Sequence, residues 1–257
     1  MKIVRFLAGN KASYGLMEGG SIKEVEGKFA SFIEQPPQTT GRSFSLEEVK
    51  LLAPCTPSKV ICIGLNYKKH AEEMNLSLPE TPVIFMKPST SVLGPGKEIL
   101  LPPQSRRVDY EAELGVVIGR PAYSVSREQA LDYVLGYTCS NDVTARDLQS
   151  PDEQWTYSKG FDTFAPLGPV IETEIEDPNK LEIRGYLNGK IVQESNTEDM
   201  IFDAPYLIEY ITACMTLLPG DVIITGTPSG VGPLSDGDTI TIEIEGVGQL
   251  TNKVRRR

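Results

Sequence analysis

Val108-Asp109-Tyr110-Glu111-Ala112-Glu113-Leu114-Gly115-Val116-Val117-Ile118-Gly119 is the stretch on which the reading of this chain turns. Laid out as an extended strand, it alternates its side chains between two faces. Val108, Tyr110, Ala112, Leu114, Val116 and Ile118 fall on one side. Asp109, Glu111 and Glu113 fall on the other, and Gly115 continues that face without a side chain. Three carboxylates at two-residue spacing repel one another unless water or a cation intervenes. A solvated strand face would satisfy them, but Gly115 to Ile118 reads as buried on both faces. Carboxylates running straight into a buried strand want a positive partner, either a hard divalent cation or a lysine.

Around this segment the texture is mostly short strands separated by turn signals. Lys2 to Leu7, Ala12 to Met17 and Ile22 to Val25 read as strands, and Pro36-Pro37 as a loop. Ser45, with Glu48 three residues on, reads as the cap of a short helix. Pro54 and Pro57 then interrupt the chain, so a boundary is placed near residue 55. Residues 1–54 form a small β-rich unit and 55–257 a main domain. Val60 to Gly64 and Val83 to Met86 have strand length, with a brief helix from Tyr67 to Met74 between them. Glu128 to Val134 is a helix candidate leading into a strand at Leu135 to Cys139. Asn188-Gly189 between Leu181–Leu187 and Ile191–Gln193 is a type I′ hairpin signal. Asp203 to Met215 is an amphipathic helix, Val222 to Thr225 a strand, and Thr239–Ile244 with Gln249–Val254 a final hairpin. The fold class expected is α+β, predominantly β.

Composition narrows the chemistry. The 257 residues suit one large domain with a small attachment. Thirty-five acidic against 25 basic side chains, a net −10, argue against general nucleic-acid binding and against an anionic membrane surface. Arg255 to Arg257 are too short a tail to reverse this. The single histidine, His70, excludes His₂ and His₃ metal centres within one chain. Any metal must therefore rely on oxygen ligands, which favours magnesium, calcium or manganese over zinc. The four cysteines, Cys55, Cys62, Cys139 and Cys214, contain no C-x-x-C pair and read as small buried hydrophobes. The N-terminal apolar stretch is too short for a signal peptide, and no run spans a bilayer. A cytoplasmic address is expected.

Several short segments offer functional groups. Asn141-Asp142 follows a strand, so Asp142 could join Glu111 and Glu113 in an oxygen site or simply cap the next turn. Arg146 and Asp147 could form a local ion pair. Lys159 sits among aromatic, glycine and proline residues, and Lys87 ends an apolar strand. Thr225-Gly-Thr-Pro-Ser-Gly-Val-Gly232 is a glycine-rich loop able to present N–H groups to an anion, but it lacks the ending of a nucleotide-binding P-loop. On a helix, Glu73 shares a face with His70, which makes an imidazole–carboxylate dyad available for proton abstraction. A mixed-charge surface helix is the plainer reading.

These pieces occur together and in order in the fumarylacetoacetate hydrolase family, which the sequence resembles. The match runs over Gly64-Leu-Asn-Tyr67 with His70, Phe85-Met-Lys-Pro-Ser-Thr90, Asp109 to Gly115, Asn141 to Asp147, Ser158-Lys-Gly-Phe161 and Thr225 to Gly232. It covers residue 55 to the C-terminus. The resemblance implies a mixed β-roll or β-sandwich core around Mg²⁺ or Mn²⁺, with Ca²⁺ a possible occupant in crystals. It places Glu111, Glu113 and Asp142 as ligands and Lys159 beside the metal. His70 and Glu73 match a dyad on a mobile lid. Arg146, Gln149 and Thr227, with Lys87, match substrate-contacting positions. The loop from Gln149 to Trp155 would shape the pocket.

The implied partner is a small 2-oxo or 2,4-dioxo acid, and the implied assembly a homodimer. Chelation of such an acid would stabilise an enolate at C3. Three outcomes share it: hydrolysis of the C3–C4 bond of acylpyruvates, decarboxylation as with oxaloacetate, and tautomerisation or isomerisation. The expected activity is the hydrolysis. Its rivals are an isomerase or decarboxylase of 2-hydroxyhepta-2,4-diene-1,7-dioate-type substrates, an oxaloacetate tautomerase, and a catalytically silent metal-dependent binding protein.

Overall fold

The computed structural model describes residues 1–150 and 154–257. Its architecture is α+β and predominantly β, with two main sheets packed face to face. The larger runs in spatial order Gln38–Ser45, Ser21–Glu26, Lys11–Glu18, Lys2–Ala8, Ala165–Glu172, Val134–Asn141, Ala112–Ile118, Val222–Ile224, Lys59–Gly64 and Val83–Pro88. The smaller runs Lys190–Asn196, Glu182–Leu187, Thr239–Ile244, Gly248–Arg256 and Glu98–Leu101. The N-terminal meander is continuous with the large sheet, because Lys2 and Ile3 pair with Glu172 and Ile171.

The alternation read in Ala112–Ile118 builds both faces. Leu114, Val116 and Ile118 meet Ile183, Ile240, Ile242 and Leu250 between the sheets. Val117 packs on the opposite face with Val60, Cys62, Val222 and Ile224. Helix α1 spans Lys68–Glu73, α2 Thr156–Lys159 and α3 Ala204–Cys214. Helix α3 is capped by Asp203, whose Oδ1 accepts from Tyr206 N at 2.9 Å, and buries Leu207, Ile208 and Ile211. The Asn188-Gly189 hairpin has positive φ at both turn residues, +51° and +77°, as a type I′ turn requires.

Three expectations are corrected. Val108 to Gly119 is not one strand. Val108–Tyr110 pairs with Thr144–Ala145 and Gly232–Pro233 in a separate small sheet, and Ala112–Ile118 joins the large one. The break falls at Glu111 because its partner strand ends at Asn141; Asn141 Oδ1 then accepts from Glu111 N at 2.9 Å and fills the gap. Ser45 begins no helix. Glu48 does reach back to Ser45 N at 2.7 Å, but Lys50–Leu51 is drawn into pairing with Phe6 and Leu7. Cys55, Cys62 and Cys139 are buried, whereas Cys214 is exposed at the end of α3. The Glu128–Val134 candidate forms as a 3₁₀ helix, Arg127–Tyr133.

Two strand backbones approach closely at Gly136, where an added Cβ would lie 2.4 Å from the carbonyl oxygen of Glu172. Backbone cannot yield as a side chain can. Gly136→Ala should therefore cost about 1–3 kcal/mol in chemical unfolding, the usual cost of overpacking. An unchanged unfolding midpoint would show that the two strands are not this close.

Candidate active site

The acidic cluster assembles where neighbouring strands of the large sheet end. Ala112–Ile118 begins just after Glu111, Val134–Asn141 stops before Asp142, and Val222–Ile224 and Lys59–Gly64 run parallel into the same edge. Glu111, Glu113 and Asp142 are buried, and one carboxylate oxygen from each lies within 4.8 Å of the others. An all-oxygen, triply anionic set is the donor chemistry that suits a hard divalent cation. The glycine-rich loop turns an N–H to the Glu113 carboxyl, which accepts from Gly226 N at 2.7 Å. Gly226 has φ +98°, and a Cβ there would meet Asn66 Cβ at 2.7 Å, so only glycine brings the N–H this close.

Fixed cations surround the cluster. Lys159, at the end of α2, donates to Glu111 Oε2 at 2.7 Å and Asp142 Oδ2 at 2.8 Å. Lys87 Nζ stands 2.5 Å from Asp142 Oδ1 and donates to the carbonyls of Val143 and Phe164. Its ammonium is fully enclosed behind Asp142 and is not among the groups that line the cavity. Arg146 pairs with Glu111 and donates to Asp109 Oδ2 at 2.8 Å and Gln149 Oε1 at 2.6 Å. The local Arg146–Asp147 pair does not form; Asp147 accepts from Ser105 Oγ and Arg106 N.

Burial and charge drive the carboxyls apart. Burial pushes Glu113 up, and the negative charges of Asp142 and Glu111 push it further, well above the usual range. Burial also opposes ionisation of Glu111, but the adjacent Lys159 and Arg146 overcome it and hold that carboxyl down, at about 2. Burial works against the Lys159 ammonium as well; Asp142 and Glu111 reverse this and keep it charged. The cluster thus lacks enough positive charge to hold all three carboxylates ionised.

A cavity of about 290 Å³ opens onto the cluster. Glu111, Glu113, Lys159, Arg146, Gln149 and Thr227 form its polar end; Ile63, Leu65, Met74, Leu76, Phe85 and Trp155 line the rest. His70 also reaches the wall. Its Nδ1 lies 3.0 Å from Glu73 Oε2, so the dyad inferred from i,i+3 spacing is formed. Residues 151–153 of the loop expected to shape the pocket lie outside the described residues; Gln149 and Trp155 on either side of them line it.

Three contributors went unassigned in the sequence. Asp109, fully buried, holds Arg146 and Arg107, and so aims the guanidinium at Glu111. It was visible as the first carboxylate of the acidic face, but the strand break hid its separate task. Gln193 accepts from Ala112 N at 2.9 Å and donates to Thr227 Oγ1 at 2.9 Å. Nothing in Ile191 to Asn196 marks it. Asn66 donates to the carbonyls of Phe202 and Thr225, joining the start of α1 to the loop that holds Glu113.

Residues 59–255 match the family model described as fumarylacetoacetate (FAA) hydrolase, C-terminal. The chain belongs to the fumarylacetoacetate hydrolase family. Residues 1–54 match a second model, described as Rv2993c-like, N-terminal. Oxaloacetate tautomerase Fahd2a, mitochondrial, of Rattus norvegicus is 46% identical over 80% of this chain and 70% of its own. The structure of 2-hydroxyhepta-2,4-diene-1,7-dioate isomerase from Mycobacterium marinum is 46% identical, with a TM-score of 0.92 over 100% of this chain and 99% of that one. 5-carboxymethyl-2-hydroxymuconate delta-isomerase from Mycobacterium smegmatis aligns with a TM-score of 0.92 at 45% identity, over 100% of both chains. This fumarylacetoacetate hydrolase family member thus shares its fold with isomerases and is similar in sequence to an oxaloacetate tautomerase. No helix among the described residues is long and apolar enough to cross a membrane.

The raised Glu113 fixes a pH dependence. A carboxyl lifted by folding stabilises the protein fully below its unfolded pKa, about 4.3, and that stability is lost as pH climbs through the folded value. In EDTA, thermal stability should decline over this window, and Mg²⁺ should offset the loss increasingly as pH rises. Glu113→Gln should flatten the decline and abolish the Mg²⁺ response. A melting curve series in which wild type and Glu113→Gln behave alike would contradict this.

Proposed function

We propose that this chain is a Mg²⁺- or Mn²⁺-dependent enzyme that hydrolyses the C3–C4 bond of acylpyruvates and related 2,4-dioxo acids. The observation that carries the reading is a single cavity with the carboxylate cluster at one end, the His70–Glu73 dyad in its wall and apolar side chains around the remainder. A divalent cation held by Glu111, Glu113 and Asp142 would supply Lewis-acid polarisation of a 2-oxo group.

The chain's own residues supply the rest. Lys159, a buried fixed ammonium, offsets negative charge growing on the 2-oxo oxygen, and costs no reorganisation because it is already in place. Glu73 orients the His70 ring, leaving the far nitrogen to take a proton from water. The hydroxide adds to the C4 carbonyl, the C3–C4 bond breaks, and its electron pair passes into the C2–C3 enolate. Protonation at C3 then gives pyruvate, and the acyl group leaves as a carboxylate.

The cavity's chemistry favours an uncharged acyl group over a second carboxylate. Among the described lining residues the fixed cations, Lys159 and Arg146, are both at the polar end and already engaged with acids. The far carboxylate of a diene-dioate would meet Ile63, Met74, Leu76 and Trp155. Tautomerisation of oxaloacetate is a second reading, because that acid is short enough to lie at the polar end and the rat relative bears that name.

Incubation of the Mg²⁺-loaded protein with acetylpyruvate, oxaloacetate and 2-hydroxyhepta-2,4-diene-1,7-dioate, followed by NMR, separates the readings. Acetate and pyruvate should appear from acetylpyruvate. Turnover confined to the diene-dioate would sink the proposal. His70→Ala should keep the metal and lose roughly 10²–10⁴-fold in hydrolysis, the scale of general-base catalysis. Hydrolysis by His70→Ala at the wild-type rate would remove the dyad from the mechanism.

A further inference from the structure

Helix α1 carries the dyad but has little of its own to hold it together. It is six residues long, buries only Ala71, and its N-cap position, Tyr67, offers no capping side chain. A helix this short is marginal in isolation. Lys68 and Lys69 in its first turn also set positive charge against the positive end of the helix dipole. Its first backbone bond is Ala71 N to Tyr67 O, so the earlier N–H groups need partners from outside the helix.

One such partner comes from far along the chain. Asp199 ends a 3₁₀ turn, Thr197–Asp199, and its Oδ2 accepts from Lys69 N at 3.1 Å. The residues just beyond it fix the approach. Tyr67 and Met200 form an isolated β-bridge, Ile201 N donates to the carbonyl of Asn66 at 2.8 Å, and Phe202 N donates to Asn66 Oδ1 at 2.8 Å. At the opposite end Glu73, hydrogen-bonded to His70, accepts from Gly230 N at 3.2 Å. The helix is thus held at both ends by segments remote in sequence, by the Asp199 side chain at its start and by the Gly230 N–H at its end.

We propose that Asp199 is a positioning residue for His70, acting by capping the N-terminus of α1 from the Thr197–Phe202 segment. The carboxylate does two things there: it accepts an orphan N–H, and it sets a negative charge beside the helix's positive end. Loss of a cap shifts a helix equilibrium roughly 2- to 30-fold. The same factor should appear in how often His70 stands correctly over the cavity. The catalytic consequence rests on the hydrolytic reading above; the structural one does not.

The test compares wild type, Asp199→Ala and Asp199→Asn, all loaded with Mg²⁺. Hydrogen–deuterium exchange should show residues 68–74 exchanging roughly 2- to 30-fold faster in Asp199→Ala, with the sheet unchanged. On acetylpyruvate, kcat should fall by a similar factor while Mg²⁺ affinity holds, since the carboxylate cluster lies on other elements. Asp199→Asn, which keeps an accepting oxygen, should recover most of both. Unchanged exchange in Asp199→Ala, or Asp199→Asn as impaired as Asp199→Ala, would overturn the capping role. If wild type turns over no substrate, the hydrolytic reading fails while the exchange comparison still decides Asp199.

Discussion

Three carboxylates crowded into one buried point set the terms for much of this structure. Glu111, Glu113 and Asp142 cannot share that space as three anions without help. Lys159 bridges two of them, Lys87 backs Asp142, and Arg146 is held to Glu111 by Asp109 from behind. Even so, Glu113 stays difficult to ionise. A cluster left this short of positive charge is poised to gain from a divalent cation, and the gain would fall where the cavity opens.

The two sheets make that crowding tolerable. The carboxylates leave from strand ends, while the strands themselves are committed to apolar contacts on both faces. Rigid flanks hold the charges against their own repulsion. The dyad has the opposite setting: His70 and Glu73 sit on a six-residue helix with one buried residue, tied down at its ends by Asp199 and Gly230. The carboxylates are therefore built onto the core sheets, and the His70–Glu73 pair is placed on a short helix with little buried surface of its own.

Much of this was legible in the sequence. Period-two alternation in Leu114 to Ile118, the Asn188-Gly189 turn and the amphipathic pattern from Asp203 to Met215 are local signals, and local structure followed them. The i,i+3 spacing of His70 and Glu73 likewise needed only a helix to become a contact. The break at Glu111 was not legible, because it arises from where the partner strand ends, a fact stored some thirty residues away. Lys87 was conspicuous but its direction was not: an apolar strand ending in lysine does not say which side the ammonium takes. Asp109, Gln193 and Asn66 act through partners distant in the chain, and no spacing rule joins them. Glu48 reached back to Ser45 N without a helix, since strand pairing at Lys50–Leu51 claimed the following residues.

Glu111, Glu113 and Asp142 should together form one divalent-cation site. A crystal structure of the protein grown with Mn²⁺ and oxalate, measured at the manganese absorption edge, tests it most directly. A single anomalous peak is expected at the inner end of the cavity, ligated by an oxygen from each of those three side chains. A protein with no peak there, or with manganese bound elsewhere and Lys159 still bridging Glu111 and Asp142, would contradict it.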